Sequence, residues 1–240
     1  MPRVAAESLI GIHLLRGLST DARNQIANQC TYREYDAGTD IVVHGDASND
    51  VFFLVAGLVR ATIFSVSGKE VAFRDLVPGE TFGDLSAIDG RERCASVIAL
   101  APCVTVTLGA KAFQSIYCQH PEVAQRVMEQ LSRVIRALSE RVLEHATMGV
   151  RDRVRAEVLR IAEQPDCDRF DGFRWAPRPP THDDIAKRIS TQREAVTKEI
   201  SALRREGVLA ICPHGGWLYT DLQTLRTSVA SVKGEFFASM

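Results

Sequence analysis

The spacing of apolar residues changes character once along this chain. Between Tyr35 and Ala110 they fall in short β-branched and aromatic runs, of which Val51–Val55, Val59–Ser65 and Val71–Leu76 are the clearest. Glycines at 38, 45, 57, 68, 79 and 90 punctuate these runs, with gaps of 12, 11, 11 and 11 residues from Gly45 onward. Turn residues repeating every ~8–12 positions mark antiparallel hairpins of a sandwich or barrel. About seven or eight strands fit, with Ser67-Gly68 and Pro78-Gly79 as turns, so the stretch predicts an antiparallel β-roll or jelly-roll domain.

After Gly109 the period becomes helical. Phe113, Ile116 and Tyr117 predict a short helix, and Pro121 opens a long one, since proline is tolerated in a first turn. Leu131, Val134, Leu138 and Val142 then recur at gaps of 3, 4 and 4, with Arg133, Arg136 and Arg141 between them. So narrow a stripe on a helix of about 25 residues suits a two-helix seam. With Val127 it forms a candidate homodimer interface; the alternative is packing against the chain's own β-domain.

A helix over Arg151–Glu163 follows, and Gln164–Pro180, with four prolines and a glycine, reads as a connection. Thr181-x-x-Asp184 matches a capping box and starts a helix with Ile185, Ala186 and Ile189 inward. A break at Ser190-Thr191 precedes a second helix with Val196, Ile200 and Leu203 inward, ended by Gly207. Two helices so closely joined form a helix-turn-helix. Leu209–Ile211 and Trp217–Tyr219 flank His214-Gly215-Gly216, which adds a β-wing. Leu222, Leu225, Val229 and Val232 predict a further helix. The fold class is therefore α+β. Its parts are a β-roll domain over 1–120, a dimerisation helix and hinge over 121–148, a winged helix-turn-helix over 149–220 and a helical extension over 221–240.

Composition narrows the function classes. With 45% hydrophobic and 25% charged residues the chain is an ordinary globular one. Its longest apolar runs are strand-sized, so no membrane partner is expected. Glu7 and His13 interrupt the N-terminal apolar residues, which excludes a secretory signal and points to the cytoplasm. Six scattered cysteines and six scattered histidines form no C-x-x-C or H-E-x-x-H spacing, so no metal is expected. The net charge of −1 conceals a split: residues 1–148 carry 14 Lys/Arg against 17 Asp/Glu, and residues 149–240 carry 15 against 13. The excess cations gather at Lys187, Arg188, Arg193, Lys198, Arg204 and Arg205, where a polyanion would need them.

At about 100° per residue, Glu194, Thr197, Lys198, Ser201 and Arg205 lie opposite Val196, Ile200 and Leu203, with Arg193 at the N-terminal edge. The second helix of such a motif enters the major groove and offers its first residues to base edges. Arg193 can fork onto a guanine, Glu194 can accept from a cytosine amino group, and Lys198 can reach guanine or phosphate. Thr181, His182, Gln192 and Thr197 complete the candidate DNA-binding set. For Glu194 a capping box on Thr191 is an equal alternative. A second stretch, Phe82–Val97, joins a glycine, a short helical turn and Arg93. A glycine admits close backbone approach, a helix start offers amide N–H groups, and an arginine grips the same anion. A plain turn, a capping aspartate and a surface arginine are the alternative.

The string F-G-D-L-x-A-I-x-G-x-x-R-C-A-S-V over Phe82–Val97 resembles the phosphate-binding cassette of cyclic-nucleotide-binding domains. Gly38, Gly45-Asp46, Gly57 and Gly79 resemble the β-roll of the same domain, and Arg193-Glu194-x-Val196 resembles a recognition-helix motif. In this order the parts resemble the Crp/Fnr superfamily of transcription regulators, over nearly the whole chain except the C-terminal tail. The resemblance implies a non-enzymatic homodimer that binds an inverted-repeat double-stranded DNA site, with RNA polymerase as a further partner. It implies cyclic AMP as allosteric ligand, with cyclic GMP as the other purine. Gly83 and Leu85 would shape the cradle, Arg93 would pair with the cyclic phosphate, and the N–H groups of Cys94 and Ala95 would complete it. Asp84 would take the ribose hydroxyl, one methylene short of the family's Glu, and the base-reading pair falls on Leu138 and Ser139. With no cysteine before Cys30 and the cassette arginine present, no haem or iron-sulfur cofactor is expected. Two other readings keep the resemblance: a regulator of the same build answering another small ligand or thiol oxidation at Cys94, and a nucleotide module that regulates a protein partner.

Overall fold

Strand β3, Val51–Ala56, is apolar on both faces because both faces are covered. Val51 and Phe53 join one core cluster, while Phe52 and Leu54 join another. This is seen in a computed structural model that describes residues 4–65, 70–164 and 167–233. The Ser67-Gly68 turn expected from the sequence lies outside the described residues, as does everything after Lys233. The chain divides after Ile135 into two units.

Among the described residues, the first unit holds eight strands in two four-stranded antiparallel sheets. One has the order β1 (Thr31–Tyr35), β8 (Cys103–Leu108), β3, β6 (Thr81–Phe82). The other has β2 (Asp40–Val42), β7 (Ser96–Ala99), β4 (Val59–Phe64), β5 (Glu70–Leu76). Apart from the β4–β5 hairpin, sequence neighbours are dealt to opposite sheets, which is the jelly-roll order. Between the sheets lie Phe52, Leu54, Val59, Leu76, Phe82 and Val97, with Phe52 and Phe82 stacked at 4.9 Å. The outer face of the β3 sheet is covered by α1 (Thr20–Ala27), α3 (Ala110–Gln119) and the start of α4 (Pro121–Thr147). Between β6 and β7 sits α2 (Asp84–Asp89). Helix α1, which the sequence pattern leaves unread, is capped by the Ser19 hydroxyl on the Ala22 N–H at 3.2 Å.

The second unit begins within α4 and contains α5 (Val150–Ala162), α6 (His182–Arg188), α7 (Arg193–Arg205) and α8 (Leu222–Lys233). Its sheet has the order β11 (Leu209–Ile211), β12 (Trp217–Tyr219), β10 (Phe173–Ala176), β9 (Asp168–Phe170). The last two strands correct the reading of Gln164–Pro180 as a plain connection. Asp171 and Gly172 take φ of 51° and 80°, the paired left-handed conformations of a two-residue hairpin turn. The capping box forms as expected, with the Thr181 hydroxyl accepting from the Asp184 N–H at 3.1 Å. Ile185, Ala186, Val196, Ile200 and Leu203 all face the core with Val154, Val158 and Ile161 of α5. No helix among the described residues is long and apolar enough to cross a membrane.

Leu54 is fully buried between the sheets and Leu100 lies exposed beyond β7. Leu54→Ala should therefore cost about 2–5 kcal/mol and Leu100→Ala about 0.5 kcal/mol or less. Denaturant unfolding followed at the first unit's transition measures both, and equal losses would put Leu54 outside the core.

Candidate ligand cassette and nucleic-acid interface

The turn from β6 into α2 is built on Gly83, whose φ is 78°. A Cβ there would stand 2.7 Å from the Asp50 carbonyl oxygen and 2.8 Å from Arg93 Nη1, so only glycine lets the arginine lie against the turn. Arg93 is 3% exposed. Its Nε donates to Ser48 Oγ at 3.0 Å, Nη1 to the Gly83 carbonyl at 2.9 Å and Nη2 to the Asp50 carbonyl at 2.8 Å. A guanidinium has five N–H donors, so two are left over. The backbone is held as firmly, with the Arg93 N–H on the Asp46 carbonyl and the Gly45 N–H on the Arg93 carbonyl, both at 2.9 Å. His44, Gly45, Gly90, Arg91, Glu92, Arg93 and Cys94 line a depression of about 530 Å³ here, within the ~300–1,000 Å³ of small-molecule sites.

Burial lowers the Arg93 pKa, and Asp50, Asp46 and Asp84 work against that shift. Asp84 opens α2, is 7% exposed, and accepts from Gln130 Nε2 of α4 at 3.0 Å. Burial pushes its carboxyl above the ordinary range, against its own backbone N–H, Arg74 and Gln130. The cassette thus joins a buried cation, which is among the residues lining the depression, and a buried acid, which is not. Leu85 is exposed and Ala95 half-buried. Cys94 reaches solvent, yet desolvation by the surrounding loops holds its thiol above the usual value, which disfavours a reactive thiolate. Leu138 and Ser139 lie in the part of α4 that belongs to the second unit, and both are exposed. Ser48, Asp50 and Gln130 escaped sequence reasoning because each meets the cassette across more than forty residues.

Along α4, Val127 is buried in its own unit's core with Val123, and Leu131 and Val134 are half-buried. The exposed apolar residues are Met128, Ile135, Leu138 and Val142, the last 69% exposed. With Leu131 they recur at gaps of 3, 4, 3 and 4, a heptad seam.

In the second unit α7 presents Gln192, Arg193, Glu194, Thr197 and Lys198 outward. Gln192 is the N-cap and makes no side-chain cap bond, so the Glu194 and Thr191 capping box does not form and the first N–H groups stay available to an anion. Glu199 turns inward, accepting from Arg155 Nε at 2.5 Å and from Arg151 Nε at 3.4 Å. Its withdrawal leaves the exposed surface of α7 more basic than the sequence count suggests, with Arg193, Lys198, Arg204 and Arg205 outside. Thr181 is exposed at the start of α6. Thr197 donates to the Arg193 carbonyl at 3.0 Å and lies 2.9 Å from His182 Nδ1. Its single proton is thereby used, so Nδ1–H of His182 is the donor and the ring ties α6 to α7. Burial, then Arg193, lowers the His182 pKa and so favours the neutral ring, although Nδ1–H is a donor in either protonation state. The wing is braced by the unforeseen hairpin: Trp175 Nε1 donates to the Gly215 carbonyl at 2.9 Å, and Phe170 meets His214 edge-on at 5.1 Å.

Residues 32–120 match the model of the cyclic nucleotide-binding domain and residues 132–228 that of the Crp-like helix-turn-helix domain. The cAMP-activated global transcriptional regulator CRP of Salmonella typhimurium is 25% identical over 185 residues, covering 76% of this chain and 87% of that protein. The cyclic AMP receptor protein of Thermus thermophilus is 26% identical over 203 residues, covering 85% and 90%. The solved structure of a CooA mutant from Carboxydothermus hydrogenoformans superposes with a TM-score of 0.76 at 17% identity, covering 90% of this chain and 92% of that one.

A carboxyl whose pKa is raised by folding binds its proton more tightly in the folded state. The Asp84 contribution to stability should therefore be most favourable at low pH and fall as pH rises from the ordinary carboxylate value through the raised one. Thermal melting of wild type against Asp84→Asn across acidic pH should show this decline in wild type alone; parallel pH profiles would mean that Asp84 is solvated.

Proposed function

Because the chain belongs to the Crp/Fnr family, whose members are DNA-binding transcription regulators and not enzymes, we propose that it is a homodimer switched onto an inverted-repeat DNA site by cyclic AMP. The observation that carries this reading is Arg93, a cation held almost out of water with two donors to spare at the edge of the depression. Such a group answers a compact anion, and a cyclic phosphate against Arg93 and the N–H groups of Cys94 and Ala95 neutralises it. Asp84 takes the ribose hydroxyl, for which Gln130 must share or yield its oxygen. Cyclic AMP is preferred to cyclic GMP because two relatives carry it in their names. By resemblance the base end falls to Leu138 and Ser139.

The α4 seam of Met128, Leu131, Ile135, Leu138 and Val142 pairs with a second copy and sets the separation of the two α7 helices. Half-sites one helical turn, ~34 Å, apart accept only one such spacing. The nucleotide acts by favouring that arrangement, and only by as much as it prefers it. Arg193, Glu194 and Lys198 read base edges, while Thr181, Gln192 and the α7 N-terminus hold phosphate. RNA polymerase is the partner once the regulator is seated. A second reading, the same switch answering a different small ligand, is favoured by one feature: Leu138 offers no hydrogen bond to a purine. The raised thiol pKa of Cys94 argues against oxidation as the signal.

Calorimetry with both nucleotides tests the site. Wild type should bind cyclic AMP at micromolar levels and Arg93→Ala should not; binding of neither nucleotide by wild type overturns the proposal. Arg193→Ala should weaken binding to the selected DNA repeat by about 1–3 kcal/mol and leave nucleotide affinity unchanged. Gel shifts indifferent to it would remove α7 from the groove.

A further inference from the structure

In one charged group, helix α5 carries side chains to two other helices of the second unit, and a third joins the same group through α4. Toward α4, Arg160 Nη2 donates to both oxygens of Glu144 at 2.9 and 3.1 Å. Toward α6, Glu157 Oε1 accepts from Arg188 Nη1 at 3.1 Å, and its other oxygen accepts from Arg160 Nη1. From α8, Lys233 Nζ lies 2.9 Å from Glu144 and also pairs with Glu140. Glu144 and Glu157 are 3% and 2% exposed. Arg141 of α4 adds its charge to the same group, attracted by Glu157 and Glu144 and repelled by Arg160 and Arg188. Beside the ions, Met148, Ala156 and Val229 form a small apolar cluster between α4, α5 and α8.

The chain Glu144–Arg160–Glu157–Arg188 therefore leads from the last turns of α4 to the last residue of α6, just before the turn at Ser190 that sets the direction of α7. Buried ion pairs are a poor way to gain stability, because desolvation offsets most of their attraction. What they supply beyond apolar contact is direction, since a guanidinium fork engages a carboxylate in few orientations. We propose that this ionic chain, closed from α8 by Lys233, is the positioning element that makes the helix-turn-helix follow the rotation of α4. The proposal rests on the reading that nucleotide acts through α4. Its members are positioning residues: none belongs to the cassette or to the outward surface of α7. It also gives α8 a task, that of a strap holding the end of α4 to the DNA-binding unit.

The test uses the full chain as Glu144→Gln and Lys233→Met, with Glu144→Asp as the charge-keeping control. Nucleotide affinity should stay within about twofold of wild type. The gain in DNA affinity on adding cyclic AMP should fall at least tenfold in Glu144→Gln, fall less in Lys233→Met, and largely survive in Glu144→Asp. A merely structural role would lower the melting temperature and weaken DNA binding equally with and without nucleotide; that unchanged ratio overturns the proposal. If wild-type DNA binding ignores nucleotide, the reading of the cassette fails instead. The positioning claim is then decided by nitroxide labels at Ala137→Cys and Arg205→Cys, with Cys30, Cys94 and Cys118 replaced by serine. The distance distribution should be narrow in wild type and broad in Glu144→Gln, and equal widths overturn it.

Discussion

A guanidinium drawn out of water into backbone carbonyls keeps its charge but loses the solvent that balanced it. Arg93 is in that position, bonded to Ser48, Gly83 and Asp50 and nearly closed off. Removing such a charge from water costs several kcal/mol, of which neutral acceptors return only part. The left-handed Gly83, the bonds from Gly45 and to Asp46, and the acidic Asp50, Asp46 and Asp84 are arranged around this one side chain. The jelly roll serves as its mount, because β6, α2 and β7 must arrive together for the cassette to exist.

The same economy of charge recurs in the second unit. Glu199 is taken inward by Arg155 and Arg151, so the exposed surface of α7 shows mainly cations. Glu157 and Glu144 are taken inward by Arg160, Arg188 and Lys233, so α4, α5, α6 and α8 are bound by ions as well as by packing. Near-neutral total charge is therefore compatible with a basic working surface, since many of the acids are buried or paired on the inner side.

Where pattern was local, the sequence was readable. Glycine spacing and apolar runs disclosed the roll, the Thr181 capping box disclosed α6, and the apolar period of α7 put Arg193 and Lys198 outside. Pattern misled where local signals conflicted: prolines masked the β9–β10 hairpin, although Asp171-Gly172 was a turn signal in plain view. On α4, residues 127 and 128 sit side by side at the edge of two stripes. The helix leaves its own roll partway along, so Val127 faces inward while Met128 and Ile135 belong to the exposed stripe. Gln130 on Asp84, Ser48 on Arg93 and Arg155 on Glu199 are contacts across more than forty residues. No spacing rule reaches them, because they exist only after the strands and helices have been assembled.

In the proposed switch, nucleotide at Arg93 and DNA at Arg193 are linked through one dimer. The most direct measurement is fluorescence anisotropy of a labelled inverted repeat titrated with the protein at physiological salt, with and without saturating cyclic AMP. The complex should be at least tenfold tighter with nucleotide in wild type and unchanged in Arg93→Ala. Equal affinity with and without nucleotide in wild type, or an equal gain in Arg93→Ala, would contradict the switch.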